Sequence, residues 1–418
     1  MILQRLNDDR TLSAVSKDLR AGGADRLAPR GRKPSRRVRS PSTSAYNQAR
    51  QRLPLSRLQA ALAHVARALC PLAGGKPTGR AAPSPNQRVR QLLDGSTLAM
   101  LLTPDLAKEF SPGKNHRGDC GWCLLRIRVG FCAKTGAVLS ACCGAQEQSE
   151  QAMAWTMMKH AAAFTVWIGD ANFGVWSIVA QATRFHQDVL VRLSPARARR
   201  LCAGQPLRSG QERWIAWQPS RDDKVPPDAE RKAVSGRLIY LRVQRDQRWI
   251  DLWLFTTLPA RDYPIELLVG WYGQRWQAEL NFRYVKTQLK MEVLHVATPE
   301  MARKEFYAGL LAYSLVRAVM WEAGERLEHK HAVISFREAR RIVIARLKDW
   351  GRALYHRPHT AATWLQALCD EIALPILPKR RKPRPNEPRR ARHRRHKFPP
   401  LRGSRANARL RYATTKSL

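Results

Sequence analysis

Acidic residues are scarce in this chain: 33 Asp plus Glu stand against 74 Lys plus Arg in 418 residues, a formal net charge of +41 with a pI near 11.1. Such a chain repels itself unless a polyanion compensates, which excludes an ordinary charge-balanced globule. Long apolar runs are lacking too. The longest candidate, FYAGLLAYSLVRAVMW, carries Arg317 and falls short of the roughly 18 apolar residues a membrane-spanning helix needs. It reads as a buried amphipathic helix, and no membrane role is expected. No signal peptide is evident, so a cytoplasmic, nucleoid-associated protein is expected, where disulfides are disfavoured. Of the eight cysteines, Cys120-Gly-Trp-Cys123 and Cys142-Cys143 lack the second Cys-x2-Cys of a zinc site and sit in strand-like alternation. They read better as small buried hydrophobes.

What is present is 44% hydrophobic residues, enough for a sizeable core in two or three domains. Nucleic acid is the natural partner, because neutralising phosphates releases counterions. Helical spacing appears first, at Leu12, Val15 and Leu19 and at Leu58, Leu62, Val65 and Leu69, with Ser56 as a candidate N-cap. Between them the Pro/Arg/Ser text from Pro29 to Ser44 predicts a basic arm, and Gly74 to Asn86 a linker. The pattern then turns to strands. VRQLL ends at Asp94, which opens the turn DGST; Leu125, Ile127, Val129 and Phe131 alternate with arginines; a hairpin turn at Lys134–Gly136 leads to Val138–Ala141. A helix near 149–163, a strand ending at Asp170 and a strand at Val189–Leu193 complete a mixed α/β order. A basic, Trp-rich β insertion is predicted at about 195–259, and its Trp214, Trp217, Trp249 and Trp253 are candidates for stacking on unpaired bases or for sheet core. Helices follow near 335–350 and 361–374, then a Pro/Arg-rich tail. Domains are therefore expected at 1–75 (helical, DNA-binding, with the basic arm), 87–325 (catalytic), 326–377 (helices) and 378–418 (basic tail).

Within WYGQRWQAELNFRYVKTQLK, Tyr272, Arg275, Glu279 and Lys286 are offset by 3, 7 and 14 residues. On one α-helix they fall in a stripe about 60° wide at about 100° per residue. A carboxylate can hold a metal ion and aligned cations can hold phosphate oxygens; the plainer alternative is a solvated face with an Arg275–Glu279 salt bridge. In a chain so poor in acids, Asp94 and Asp170 stand out because each follows a predicted strand, where open sheets present ligands. Asp94, Asp170 and Glu279 brought to one point would repel unless divalent cations lay between them, and two hard ions on oxygen ligands suit Mg²⁺ or Mn²⁺. Asp105, Asp119, Asp188 and Glu292 remain rivals by spacing alone.

The spacing Tyr-x2-Arg-x3-Glu-x6-Lys resembles the signature of the IS-four family of bacterial insertion-sequence transposases at all four positions. DGSTL around Asp94, WIGDANF around Asp170, the text after the helix and EPRRARHRRHKFPPL in the tail are similar to that family as well. The resemblance implies a ribonuclease-H-like core in which Asp94, Asp170 and Glu279 are the catalytic, metal-binding triad of a DDE enzyme holding two Mg²⁺ or Mn²⁺ ions. It implies a β insertion before Glu279, DNA-phosphate contacts from Tyr272, Arg275 and Lys286, and cut-and-paste movement of an element bounded by inverted repeats. The partners implied are double-stranded DNA and a second copy of the chain, a homodimer holding two ends. Ala171 and Asn172 depart from the basic residue and glycine that the family usually carries after its second Asp. A nuclease of the same fold acting on branched or hybrid nucleic acid, or a DNA-binding protein that only retains the fold, are the alternatives.

Overall fold

A computed structural model describes residues 1–25, 33–37, 42–71, 84–115, 118–227, 229–245, 248–326, 334–374 and 404. Half of the predicted basic arm, most of the predicted linker, and the tail except Ser404 lie outside the described residues. Met1–Leu377 form one compact unit, separate from Pro378–Leu418.

Five helices come first: α1 (Ile2–Leu6), α2 (Leu12–Arg20), α3 (Pro34–Arg37), α4 (Ser44–Arg52) and α5 (Leu55–Leu69). The Thr11 hydroxyl caps α2 by accepting from the Ala14 amide at 3.1 Å. Helix α5 begins one residue before the predicted cap, so Ser56 lies inside it; Pro54, with φ fixed near −63°, takes the boundary instead. Leu58, Leu62 and Ala66, one turn apart each, form its buried stripe.

The sheet follows, beginning with β1 (Arg90–Leu101), α6 (Pro104–Glu109), β2 (Pro112–Asn115), β3 (Gly118–Cys132), β4 (Val138–Ala145), α7 (Glu150–His160), β5 (Val166–Gly169), α8 (Trp176–Arg184) and β6 (Asp188–Arg192). Hydrogen bonding orders its core β4-β3-β1-β5-β6, with β1, β5 and β6 parallel and β3 antiparallel to both neighbours. That order and sense of strands is the ribonuclease-H-like mixed sheet. Next come α9 (Pro195–Leu201), β7 (Gln211–Trp217), β8 (Val234–Arg245) and β9 (Arg248–Thr256), the predicted β insertion. Its strands do not form a sheet of their own: β9 lies antiparallel on β6, pairing Thr256 with Leu190, so the insertion extends the core sheet.

One strand differs from its prediction. Asp94-Gly-Ser-Thr is not a turn, because β1 runs on through it with Asp94 opposite Val129 and Ser96 opposite Ile127 on β3. What ends near Asp94 is the pairing with β5, whose last partners are Leu92 and Ile168. Gly95 fits this path because a Cβ there would run into the Arg128 guanidinium crossing behind it.

After the insertion come α10 (Ile265–Gly273), α11 (Trp276–Arg283), the short β10 (Val293–Leu294) beside β1, α12 (Pro299–Arg326), α13 (Phe336–His356) and α14 (Ala361–Ala373). Alternation along the strands sends residues to two cores. Leu92, Ile168 and Leu190 face one with α5, α10–α12 and α14, while Leu93, Trp167 and Val189 face the other with α7 and α8. The apolar segment around Arg317 is buried within α12; the Arg317 guanidinium donates twice to the Thr135 carbonyl, at 3.0 and 2.6 Å, which gives two of its buried N–H groups an acceptor. Among the described residues no helix is long and apolar enough to cross a membrane.

Candidate active site

The parallel register decides where the acids stand. Leu92 is level with Ile168 and Ile168 with Leu190. Side chains repeat a face every two residues, so Asp94, Asp170 and Arg192 come level on the same face, where β5 and β6 end and β1 parts from β5. Each aspartate is bonded only to its own backbone turn: Asp94 Oδ1 accepts from the Gly95 amide at 2.8 Å, and Asp170 Oδ1 from the Asn172 amide at 2.9 Å. Among the described residues neither makes an ion pair. Burial raises the Asp94 pKa above its ordinary value, the Gly95 amide opposes this, and the charges of Asp170 and Glu279 add to the rise while Arg275 lowers it.

The stripe residues cross this face, but not on the single unbroken helix predicted for them. Helix α10 stops at Gly273. The amides of Gln274, Arg275, Gln277 and Ala278 bond three residues back, a 3₁₀ tightening that leads into α11. At the other end Tyr284–Gln288 widen into a π turn, with the Leu289 amide reaching the Tyr284 carbonyl. The wider turn keeps both Val285 and Leu289 in the core while Lys286 reaches the strand, where its Nζ donates to Ser96 Oγ at 3.1 Å. Arg275 Nη2 donates to Glu279 Oε1 at 3.0 Å, the salt bridge of the plainer reading. Burial pulls the Arg275 pKa down, but Glu279, Tyr272 and Asp94 outweigh it and the net movement is up. Tyr272 packs against the apolar core, and burial raises its pKa, with Arg275, Arg192 and Asp170 all close enough to act on it.

The structure thus brings Asp94, Asp170, Tyr272, Arg275 and Glu279 within mutual electrostatic reach and anchors Lys286 beside them. Among the described residues no three His, Cys, Asp or Glu side chains are already gathered closely enough to hold a metal ion, and Glu279 is engaged by Arg275. The donor set still fits a hard divalent cation: two level carboxylates without cationic partners, and a third held by a guanidinium that can exchange it. The rivals stand elsewhere. Asp188 is at the amino end of β6, paired with Arg88 and accepting from Thr257 Oγ1 at 2.6 Å. Asp105 sits in the first turn of α6, 3.8 Å from Lys108. The Glu292 carbonyl accepts from the Ala99 amide at 3.0 Å beside β10, and the Asp119 side chain lies outside the described residues.

Two site residues escape the sequence reading, Arg192 and Ser96. The signal for Arg192 is parity, since it follows Leu190 by the same two residues that separate Asp170 from Ile168. Of the four tryptophans in the insertion, Trp217 packs edge-on against Phe255 and Trp253 stacks on Tyr240, whereas Trp214 and Trp249 are exposed.

A comparison with known families decides what this geometry belongs to: the transposase DDE domain matches residues 85–315, more than half of the chain and the whole of the sheet just described. The chain belongs to the transposase DDE domain family. Among curated relatives in that setting, the putative transposase InsL for insertion sequence element IS186A of Escherichia coli strain K12 is 38% identical over 63 residues, 15% of this chain and 17% of that protein. The transposase for insertion sequence element IS421 of Escherichia coli matches to the same extent. The matched stretch spans about a sixth of the length of these transposases. Among solved structures, a piggyBac transposase synaptic complex with hairpin DNA aligns with a TM-score of 0.40 and 8% identity, over 70% of this chain and 58% of that one.

Proposed function

We propose that this protein is a DNA transposase of the IS-four type within the DDE family, cutting at the terminal inverted repeats of an insertion sequence and joining the freed ends to target DNA. The observation that carries the reading is the level placement of Asp94 and Asp170 at the mouths of adjacent parallel strands, with Glu279 and two cations laid across them. Asp94 and Asp170 would hold a pair of divalent ions, with Glu279 completing one site once Arg275 releases it. Such a pair, Mg²⁺ or Mn²⁺, supplies activation of the attacking oxygen and stabilisation of the leaving oxygen at phosphorus.

The rest follows from the chain's own groups. Arg275, Lys286 and Arg192 converge on this face, and they grip the backbone beside the scissile bond. Tyr272 packs against the same backbone. Water attacks the phosphodiester at the element boundary, the P–O3′ bond breaks, and the element keeps a 3′-hydroxyl. That hydroxyl attacks the opposite strand, making a hairpin and releasing the flanking DNA; reopened, it attacks target DNA in the same way. Two ends must be held together, so the working form is a homodimer on DNA. The excess positive charge outside the core serves non-specific attraction to DNA in the bacterial cytoplasm.

The test is Glu279→Gln, assayed on a duplex carrying the DNA termini that flank this gene. Strand cleavage should vanish while end binding stays within about twofold, since the substitution removes a ligand but no phosphate contact. Cleavage that survives removes Glu279 from the chemistry. A wild type that cuts without transferring strands points to a nuclease of the same fold, and one that binds without cutting to a DNA-binding protein.

A further inference from the structure

Ser96 has a geometry that its neighbours in the sequence do not explain. It sits two residues beyond Asp94 on β1, on the same face, about 7 Å further along the strand. Its Oγ accepts from Lys286 Nζ at 3.1 Å, and among the described residues its own hydroxyl hydrogen has no acceptor. Two neighbouring cations are held by a charge or a ring: Arg275 by Glu279, and Arg90 over the Trp271 ring at 4.7 Å. Lys286 is held by a neutral hydroxyl, with no carboxylate or ring beside it among the described residues. A carboxylate in place of Ser96 would neutralise the lysine and compete with DNA; a hydroxyl fixes its position and leaves its full charge for an anion.

We propose that Ser96 is a phosphate-binding and positioning residue of the active-site face, holding Lys286 against a DNA phosphate and donating its own hydroxyl hydrogen to a non-bridging oxygen of the same group. A serine accepts and donates at once, so the pair Lys286–Ser96 presents two donors to one phosphate. The π turn at Tyr284–Gln288 is part of the device, because it is what carries the lysine to the strand. The assignment rests on the proposal that this face works on DNA, and its test separates the two.

The measurement is the binding of a fluorescent duplex, carrying the DNA termini that flank this gene, in EDTA as a function of NaCl concentration. Each phosphate contact made by a cation contributes about one unit to the slope of log affinity against log salt. Lys286→Ala should lower that slope by about one. Ser96→Ala removes no charge, yet it should lower the slope by about 0.5 to 1 and weaken binding roughly threefold to tenfold, because the lysine loses its fixed position. Ser96→Thr keeps the hydroxyl and should restore both. A residue that only supports the fold would leave the slope unchanged, and a Ser96→Ala slope and affinity equal to wild type overturn the assignment. Cleavage of the same duplex by the wild type in Mg²⁺ is the separate arm: its absence sinks the transposase reading, while the salt slope still decides Ser96.

Discussion

The two ends of the parallel strands carry the same residue types and treat them in opposite ways. At the amino end, Asp188 is locked: Arg88 pairs with it, Thr257 donates to it, and the Arg88 guanidinium lies over the Phe164 and Tyr263 rings at 5.6 and 5.4 Å. At the carboxyl end, Asp94 and Asp170 stand side by side with only amide donors, and Arg192 is level with them yet forms no ion pair among the described residues. A sheet that pairs a half-buried carboxylate with a cation at one end leaves two without a cationic partner at the other. Satisfied charge fixes structure; unsatisfied charge of both signs on one face is a surface prepared for something charged that arrives later.

The widest separation should come from matched aspartate replacements. Asp94→Asn keeps shape and removes one oxygen charge where none is compensated, so cleavage of the flanking-terminus duplex should fall by on the order of 10³-fold or more, the equivalent of several kcal/mol at the transition state. Asp188→Asn leaves Arg88, 4% exposed, without its counter-charge. Unfolding free energy in urea should drop by about 3 kcal/mol while cleavage per folded molecule is unchanged. If Asp188→Asn instead silences cleavage without loss of stability, the division between the two ends is wrong.

Much of this contrast is legible from residues alone, and what is not has physical reasons. The alternation in β3, the hairpin at Gly136 and the strand before Asp170 appear where period-2 patterning puts them. Asp94 is harder to place, since Gly and Ser beside it signal a turn, whereas the glycine is there to let Arg128 pass behind a continuing strand. The stripe on Tyr272–Lys286 is legible in content but not in shape: counting at 100° per residue assumes uniform winding, and the segment tightens near Arg275 and widens near Lys286. Spacing alone does not single out Arg192 or Ser96, because the level of Arg192 comes from pairing between strands and the partner of Ser96 from a lysine 190 residues away, which no single segment encodes.

Two arginines, one at each end of the strands, sharpen the comparison by a smaller margin. Arg192→Ala should weaken duplex binding by about tenfold, the size of one charge-assisted hydrogen bond, and reduce the salt slope by about one. Arg88→Met, at the closed end, should leave the slope as it is and show itself only in the urea midpoint. Equal slopes for wild type and Arg192→Ala would mean that Arg192 serves the sheet and not the phosphate.

The smallest effect is one of stability against pH, and its sign is set by burial. Asp94 titrates above its ordinary 3.8 in the folded chain. Between those two values the native state holds a proton that the unfolded chain has already lost, so stability falls as pH rises through the interval and is level above it. Asp94→Asn has nothing to titrate. In EDTA, its stability relative to wild type should grow across that interval and persist at neutral pH, by about 1.4 kcal/mol for each unit by which the carboxyl is displaced. Glu212, which pairs with Arg237 on the insertion, offers the opposite control, since replacing it with Gln breaks an ion pair and should cost stability at neutral pH. A wild type that gains on Asp94→Asn as the pH rises would show that the folded chain already stabilises the Asp94 carboxylate by itself, and the open end of the sheet would be as closed as the other.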